Sequence, residues 1–123
     1  MTDVEKICKK YKIALCYLFG SQQEKGEAIR RGQTVVIEDG ESDIDFAVSF
    51  LSPPENALET YALLSLELEE LAKPFRADLL FMHEVDHLIQ LEAIKGLNIY
   101  SVDEIFRDDY EEKVMMFASE ELE

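Results

Sequence analysis

Ser42-Asp43-Ile44-Asp45-Phe46-Ala47-Val48 sets two carboxylates one residue apart at the head of an apolar run. A strand sends successive side chains to opposite faces, so Asp43 and Asp45 leave the same face of whatever sheet holds them. Two neighbouring carboxylates repel, and a strand with one buried face does not hold them together cheaply. A divalent cation removes that repulsion, and hard oxygen ligands at octahedral spacing are what Mg²⁺ requires. Upstream, Thr34-Val35-Val36-Ile37 is β-branched and leads into Asp39-Gly40, a strong hairpin signal. The spacing predicts a strand over 34–37, a turn at Asp39-Gly40 and a returning strand from Ser42 to Phe50.

The flanking segments alternate between helical and extended patterns. Ile13 to Phe19 is continuously apolar and short, which fits a central strand covered on both faces. Before it, Val4, Ile7, Cys8 and Tyr11 recur at helical spacing, with Lys6, Lys9, Lys10 and Lys12 reading as a solvated face. Gly20-Ser21 breaks the strand, and Ser21 with Glu24 forms a capping box that opens a helix. Ser52-Pro53-Pro54-Glu55 reads as a second capping box, ahead of a helix whose apolar face carries Leu58, Tyr61, Leu64, Leu68 and Leu71. A third strand is expected over Ala77 to Met82, then a helix from Glu84 to Lys95 ending at Gly96. Asn98 to Tyr100 is extended, and Ser101 with Glu104 caps a last helix over about 102–119. The expected fold class is α/β or α+β: a small mixed β-sheet with helices packed on it, one domain over residues 1–123.

Asp78 is a charge inside an otherwise apolar strand, with Leu79-Leu80-Phe81 after it. Alone, each aspartate reads as a turn or strand-edge residue. Together, Asp43, Asp45 and Asp78 from two strands suit two metal ions about 3.5–4 Å apart, the arrangement for in-line phosphoryl chemistry. Gly20-Ser21 adds backbone N–H groups and a helix N-terminus at one spot, a place for a phosphate. A competing motif is His83-Glu84-Val85-Asp86-His87, an H-E-x-x-H pattern that on one helix would hold zinc, with Glu104 as a third ligand and a hydrolase as the outcome. Plain surface histidines are the simpler reading, because His83 directly follows a strand.

The chain has 12 basic and 27 acidic residues, a net charge of −15. That excludes duplex nucleic acid as a partner, since such binding depends on cations neutralising phosphates. It leaves room for one anionic ligand held through metal ions. Two cysteines, Cys8 and Cys16, in apolar surroundings read as buried reduced thiols. The longest apolar run falls far short of the roughly 20 residues of a membrane span. The first residues lack the pattern of a signal peptide, so a cytoplasmic location is expected. The segment 101–123 carries nine acidic against two basic residues, net −7. It reads equally as a solvated helix or as a docking surface for a basic partner, with Met115, Met116 and Phe117 supplying apolar contact.

Gly20-Ser21, Ser42 to Val48 with its paired aspartates, and Ala77-Asp78-Leu79-Leu80 resemble the polymerase-β-type nucleotidyltransferase superfamily. The likeness is strongest to its minimal branch, the MntA-type antitoxins paired with HEPN toxins. Ala93 to Tyr100, then Arg107, Tyr110-Glu111 and Phe117, resemble the end of those proteins. The resemblance implies that Asp43 and Asp45 ligate two Mg²⁺ ions. It implies that Asp78 holds the catalytic metal and helps deprotonate the attacking hydroxyl, and that Gly20 and Ser21 cradle the β- and γ-phosphates of ATP. The acceptor it implies is a tyrosine of a HEPN-domain toxin, silenced by the added AMP within a complex of the two proteins. Two features depart from the family pattern: Gln22 to Lys25 places four residues before Gly26 where three are common, and the stretch Glu27 to Glu41 is longer. The alternative is an antitoxin that neutralises its toxin by binding only.

Overall fold

The computed structural model describes residues 3–20, 23–33 and 43–122. Strands β1 (Ile13–Phe19), β2 (Ile44–Phe50), β3 (Ala77–Phe81) and β4 (Leu97–Ser101) form one sheet in the order β3-β2-β1-β4. β1 is antiparallel to β2 and β4, whereas β2 and β3 are parallel. A parallel pair needs a crossover, which α3 (Ala57–Ala72) supplies. The mixed sheet with helices on it is the α+β architecture the sequence led us to expect. The strand expected over 34–37, the Asp39-Gly40 turn, Ser21 and Ser42 lie outside the described residues.

Both faces of the sheet are covered, which is why β1 is apolar at every position. On one face Cys16, Leu18, Ile44, Phe46, Val48, Leu79 and Phe81 pack with Val4 and Ile7 of α1 (Asp3–Lys10) and Leu64 and Leu68 of α3. On the other, Leu15, Tyr17, Ala47 and Leu80 meet Ala93 of α4 (His87–Ile94) and Phe106 and Tyr110 of α5 (Glu104–Glu121). A register irregularity between Ile13 and Leu15 lets consecutive Ala14 and Leu15 both serve the second core. The helix α2 (Gln23–Arg30) sits beside the first core through Ile29. Cys8 and Cys16 are buried free thiols, and the hydrogen bond that the Cys16 thiol donates to Cys8, together with burial, pushes the Cys16 thiol up. Among the described residues, no helix is long and apolar enough to cross a membrane.

Three expected helix starts are corrected. The α3 cap is Asn56, whose side chain accepts from Glu59 N at 3.0 Å, in place of the expected Ser52. The residue before a proline is driven out of the helical region, so Pro53-Pro54 forbids a start that early. Val85 and Asp86 are extended, and Asp86 accepts from Ile89 N at 2.9 Å; α4 therefore begins at His87, not Glu84. Asp103 caps α5 by accepting from Phe106 N at 2.7 Å, because the Ser101 hydroxyl is already donated to Asn98 Oδ1 at 2.9 Å. Gly96 permits the turn into β4 to press against β1, where a Cβ would overlap the Leu18 carbonyl and lie 2.9 Å from Phe19 Cβ.

Candidate functional site

The parallel register Asp45↔Asp78 puts two of the three aspartates side by side on adjacent strands. Asp43 lies two residues before Asp45, at the mouth of β2. Strand alternation assigns Asp45 the face of Ala47, and Asp78 the face of Leu80, both of which border the core under α4 and α5. The three carboxylates therefore share one face at one end of the sheet, where β2 and β3 begin and β1 ends. Burial raises the Asp45 carboxyl above its ordinary value, and the charges of Asp78 and then Asp43 add to the rise.

Gly20 closes the same end from the β1 side. The antiparallel register sets Phe19 opposite Asp45, and the chain then turns at Gly20 with φ +77°. That conformation favours glycine, and space demands it as well. A Cβ there would overlap Asp45 Oδ2 and sit 3.4 Å from its Cγ. The backbone of the turn thus lies against the carboxylate, with α2 beginning three residues later at Gln23. Of the residues expected at the site, Gly20, Asp43, Asp45 and Asp78 come together here, while Ser21 lies outside the described residues.

The donor set is made of carboxylate oxygens alone, which suits Mg²⁺ over zinc. Among the described residues, no three His, Cys, Asp or Glu side chains close into a metal cage. An ion of this class does not need one, because Mg²⁺ is commonly held by one or two carboxylates plus substrate phosphates and water. The fit is therefore to a metal that arrives with a phosphate-bearing ligand.

The zinc motif is corrected. His83 lies in a short 3-10 turn (Met82–Glu84) and His87 opens α4, with the extended Val85 and Asp86 between them. His83 stacks on Phe81 with ring centroids 5.8 Å apart, whereas His87 Nδ1 is 2.6 Å from Glu121 Oε1 and its ring stacks on Phe117. The two imidazoles belong to different packing sites, and Glu104 begins another helix.

Sequence reasoning missed a polar tie behind the site. Tyr17, fully buried, donates to Glu111 Oε2 at 2.6 Å, and Arg107 Nε donates to the same oxygen at 2.9 Å. Burial and the Glu111 carboxylate push the Tyr17 phenol far up, so it stays a donor. A tyrosine inside an apolar strand run was the available signal, since a buried hydroxyl needs a partner. This tie fixes α5 on the face that carries the aspartates.

Comparison with known proteins adds three findings. The profile of the family Polymerase beta, Nucleotidyltransferase, matches residues 2–105. No curated protein sequence matches significantly. Among solved structures, the chain resembles a chain of a mutant MntA toxin–antitoxin complex with a TM-score of 0.70 and 16% identity, covering 98% of this chain and 88% of that one. A toxin–antitoxin structure with AMP-PNP matches at TM-score 0.68 and 18% identity over 96% and 86% of the two chains. A tri-AMPylated Shewanella oneidensis HEPN toxin in complex with MNT antitoxin matches at 0.65 and 17% over 95% and 82%. The chain belongs to the polymerase beta nucleotidyltransferase family.

Proposed function

We propose that this member of the polymerase beta nucleotidyltransferase family transfers AMP from ATP to a tyrosine hydroxyl of a HEPN toxin, and so acts as an MntA-type antitoxin. The observation that carries the reading is the Asp45↔Asp78 register beside the Gly20 turn. Asp43 and Asp45 would hold Mg²⁺, and Asp78 would complete the site on the acceptor side. Gly20 and Ser21 offer backbone N–H groups to the β- and γ-phosphates, where glycine lets the chain come close. When bound, the metal supplies charge stabilisation to the attacking and leaving oxygens. Asp78 accepts the proton of the acceptor hydroxyl as its oxygen bonds to the α-phosphorus and pyrophosphate leaves.

The structural relatives support the choice of partner and nucleotide. One is a complex with an AMP-PNP ligand, and another contains a HEPN toxin already AMPylated. A third is a variant in which two aspartates one residue apart are both changed to glutamate. The last helix fits a docking role within a single domain spanning the chain. Met115 and Met116 are each 52% exposed on α5, within a segment of net charge −7. An apolar patch rimmed by acid suits a basic partner surface. A cytoplasmic location follows from that partnership.

The test is incubation with ATP labelled on the α-phosphate, Mg²⁺ and the HEPN partner. Label in the toxin, dependent on Mg²⁺, is the expected result. A tight complex that gains no label would instead establish neutralisation by binding alone.

A further inference from the structure

Arg76 stands immediately before β3, and its carbonyl accepts from Ile44 N at 2.9 Å. That bond is part of the Ile44↔Ala77 pair itself, and carrying the same register back one residue brings Arg76 level with Asp43. Phe75 and Leu79 belong to the core under α1 and α3, so alternation places Arg76 on the opposite face, with Asp78. It is exposed. Most cations of this acidic chain are held by a carboxylate: Arg30 and Arg31 by Glu27, Arg107 by Glu111, Lys113 by Asp109. Arg76 shares a strand face with Asp78 and yet forms no ion pair among the described residues. A guanidinium left open beside a charged site is available to a ligand.

Position across the sheet says which ligand. Gly20 follows β1, Asp45 lies on β2, and Asp78 and Arg76 belong to β3, an edge strand. Neighbouring strands are about 4.8 Å apart, which puts Arg76 roughly 10 Å from the strand that ends at Gly20. A triphosphate anchored at the Gly20 turn leaves the β3 edge, the outermost strand among the described residues, for the acceptor. A chain of net charge −15 disfavours a nucleic-acid acceptor, so a protein is the occupant considered.

We propose that Arg76 is the acceptor-recognition residue: its guanidinium lies over the aromatic ring that bears the acceptor hydroxyl and turns that hydroxyl toward Asp78. This rests on the nucleotidyl-transfer reading above. The planar, weakly hydrated guanidinium stacks on an aromatic face better than an ammonium does. Arg76 takes no proton: the hydroxyl proton goes to Asp78, the new bond forms at the α-phosphorus, and the bond to the bridging oxygen breaks to release pyrophosphate.

Steady-state transfer to the HEPN partner by wild type, Arg76→Ala and Arg76→Lys tests this, with Mg²⁺-ATP binding measured separately by calorimetry. A cation–π contact of ordinary strength predicts about a tenfold rise in KM for the toxin in Arg76→Ala, with Arg76→Lys between it and wild type. The KM for ATP and the calorimetric affinity should stay within about twofold of wild type, since a ring contact touches no phosphate. An unchanged toxin KM overturns the inference, as does an equal loss of ATP affinity, which would make Arg76 a phosphate ligand. A wild-type protein that binds toxin and Mg²⁺-ATP but transfers nothing overturns the transfer reading itself, and the inference with it.

Discussion

At its far end β2 finishes with Phe50 edge-on to Phe81, ring centroids 4.9 Å apart, with Tyr61 also meeting that ring edge-on and His83 stacked on it. At its near end the same strand places Asp45 in register with Asp78 and under the Gly20 turn. One seven-residue strand thus holds a close-packed aromatic cluster at one end and mutually repelling carboxylates at the other. The apolar end stabilises the fold, and the acidic end costs stability until something neutralises it. The difference teaches that one rigid sheet can carry a stabilising end and an electrostatically loaded one, and the proposed site lies at the loaded end.

Breaking the acidic end should have the largest effect on activity. Asp43→Asn with Asp45→Asn is expected to cut transfer by about 10³-fold or more, the equivalent of several kcal/mol of lost charge stabilisation. Labelled-ATP transfer and a melting curve would check it; a folded double variant with full transfer would contradict the assignment. Breaking the apolar end should do the reverse. Phe81→Ala empties a buried aromatic site and is expected to cost about 3–5 kcal/mol in urea unfolding, while activity per folded molecule holds. Loss of specific activity without loss of stability would erase the contrast.

Gly20→Ala sits between the two. A side chain there meets both a positive φ and the Asp45 carboxylate, so a cost of about 1–3 kcal/mol is expected together with weakened ATP binding. Wild-type stability and affinity in that variant would show that the turn does not need glycine.

The smallest effect is one of sign. Burial and the neighbouring aspartates hold the folded-state pKa of Asp45 above its unfolded value, so the folded protein takes up this proton more readily. That contribution is present in full below the unfolded pKa and is lost as pH rises through the folded one. Asp45→Asn should therefore melt above wild type at pH 7 without metal, and the gain should vanish near pH 3. Added Mg²⁺ should raise the wild-type melting temperature and leave the variant unmoved. A variant less stable than wild type at pH 7 would mean that Asp45 is already neutralised in the fold.

Much of this contrast is written in local sequence. The apolar run Ile13–Phe19 and the alternation around Asp45 are properties of single strands, so periodicity reveals them. Asp78 is visible as a charge in an apolar strand and groups with Asp43 and Asp45 on sequence alone, but the side-by-side register with Asp45 is not legible there, because register between strands is set by packing across the α3 crossover. Helix starts were misplaced where several capping residues compete within a few positions. Ser52 yields to Asn56 because of the two prolines, and Ser101 yields to Asp103 because its hydroxyl is committed to Asn98. His83 and His87 matched a motif by spacing alone; two extended residues between them removed the shared helix that the spacing presumes. Arg76 carried no pattern at all, and only the neighbouring register and its unpaired charge bring it forward.

The most direct measurement is anomalous scattering from crystals grown with Mn²⁺ in place of Mg²⁺ and a non-hydrolysable ATP analogue. Carboxylate oxygens of Asp45 and Asp78 should flank a common anomalous peak, with Asp43 on the triphosphate side and the terminal phosphates against Gly20. A nucleotide bound elsewhere, or metal density that leaves Asp78 without a contact, would contradict the account.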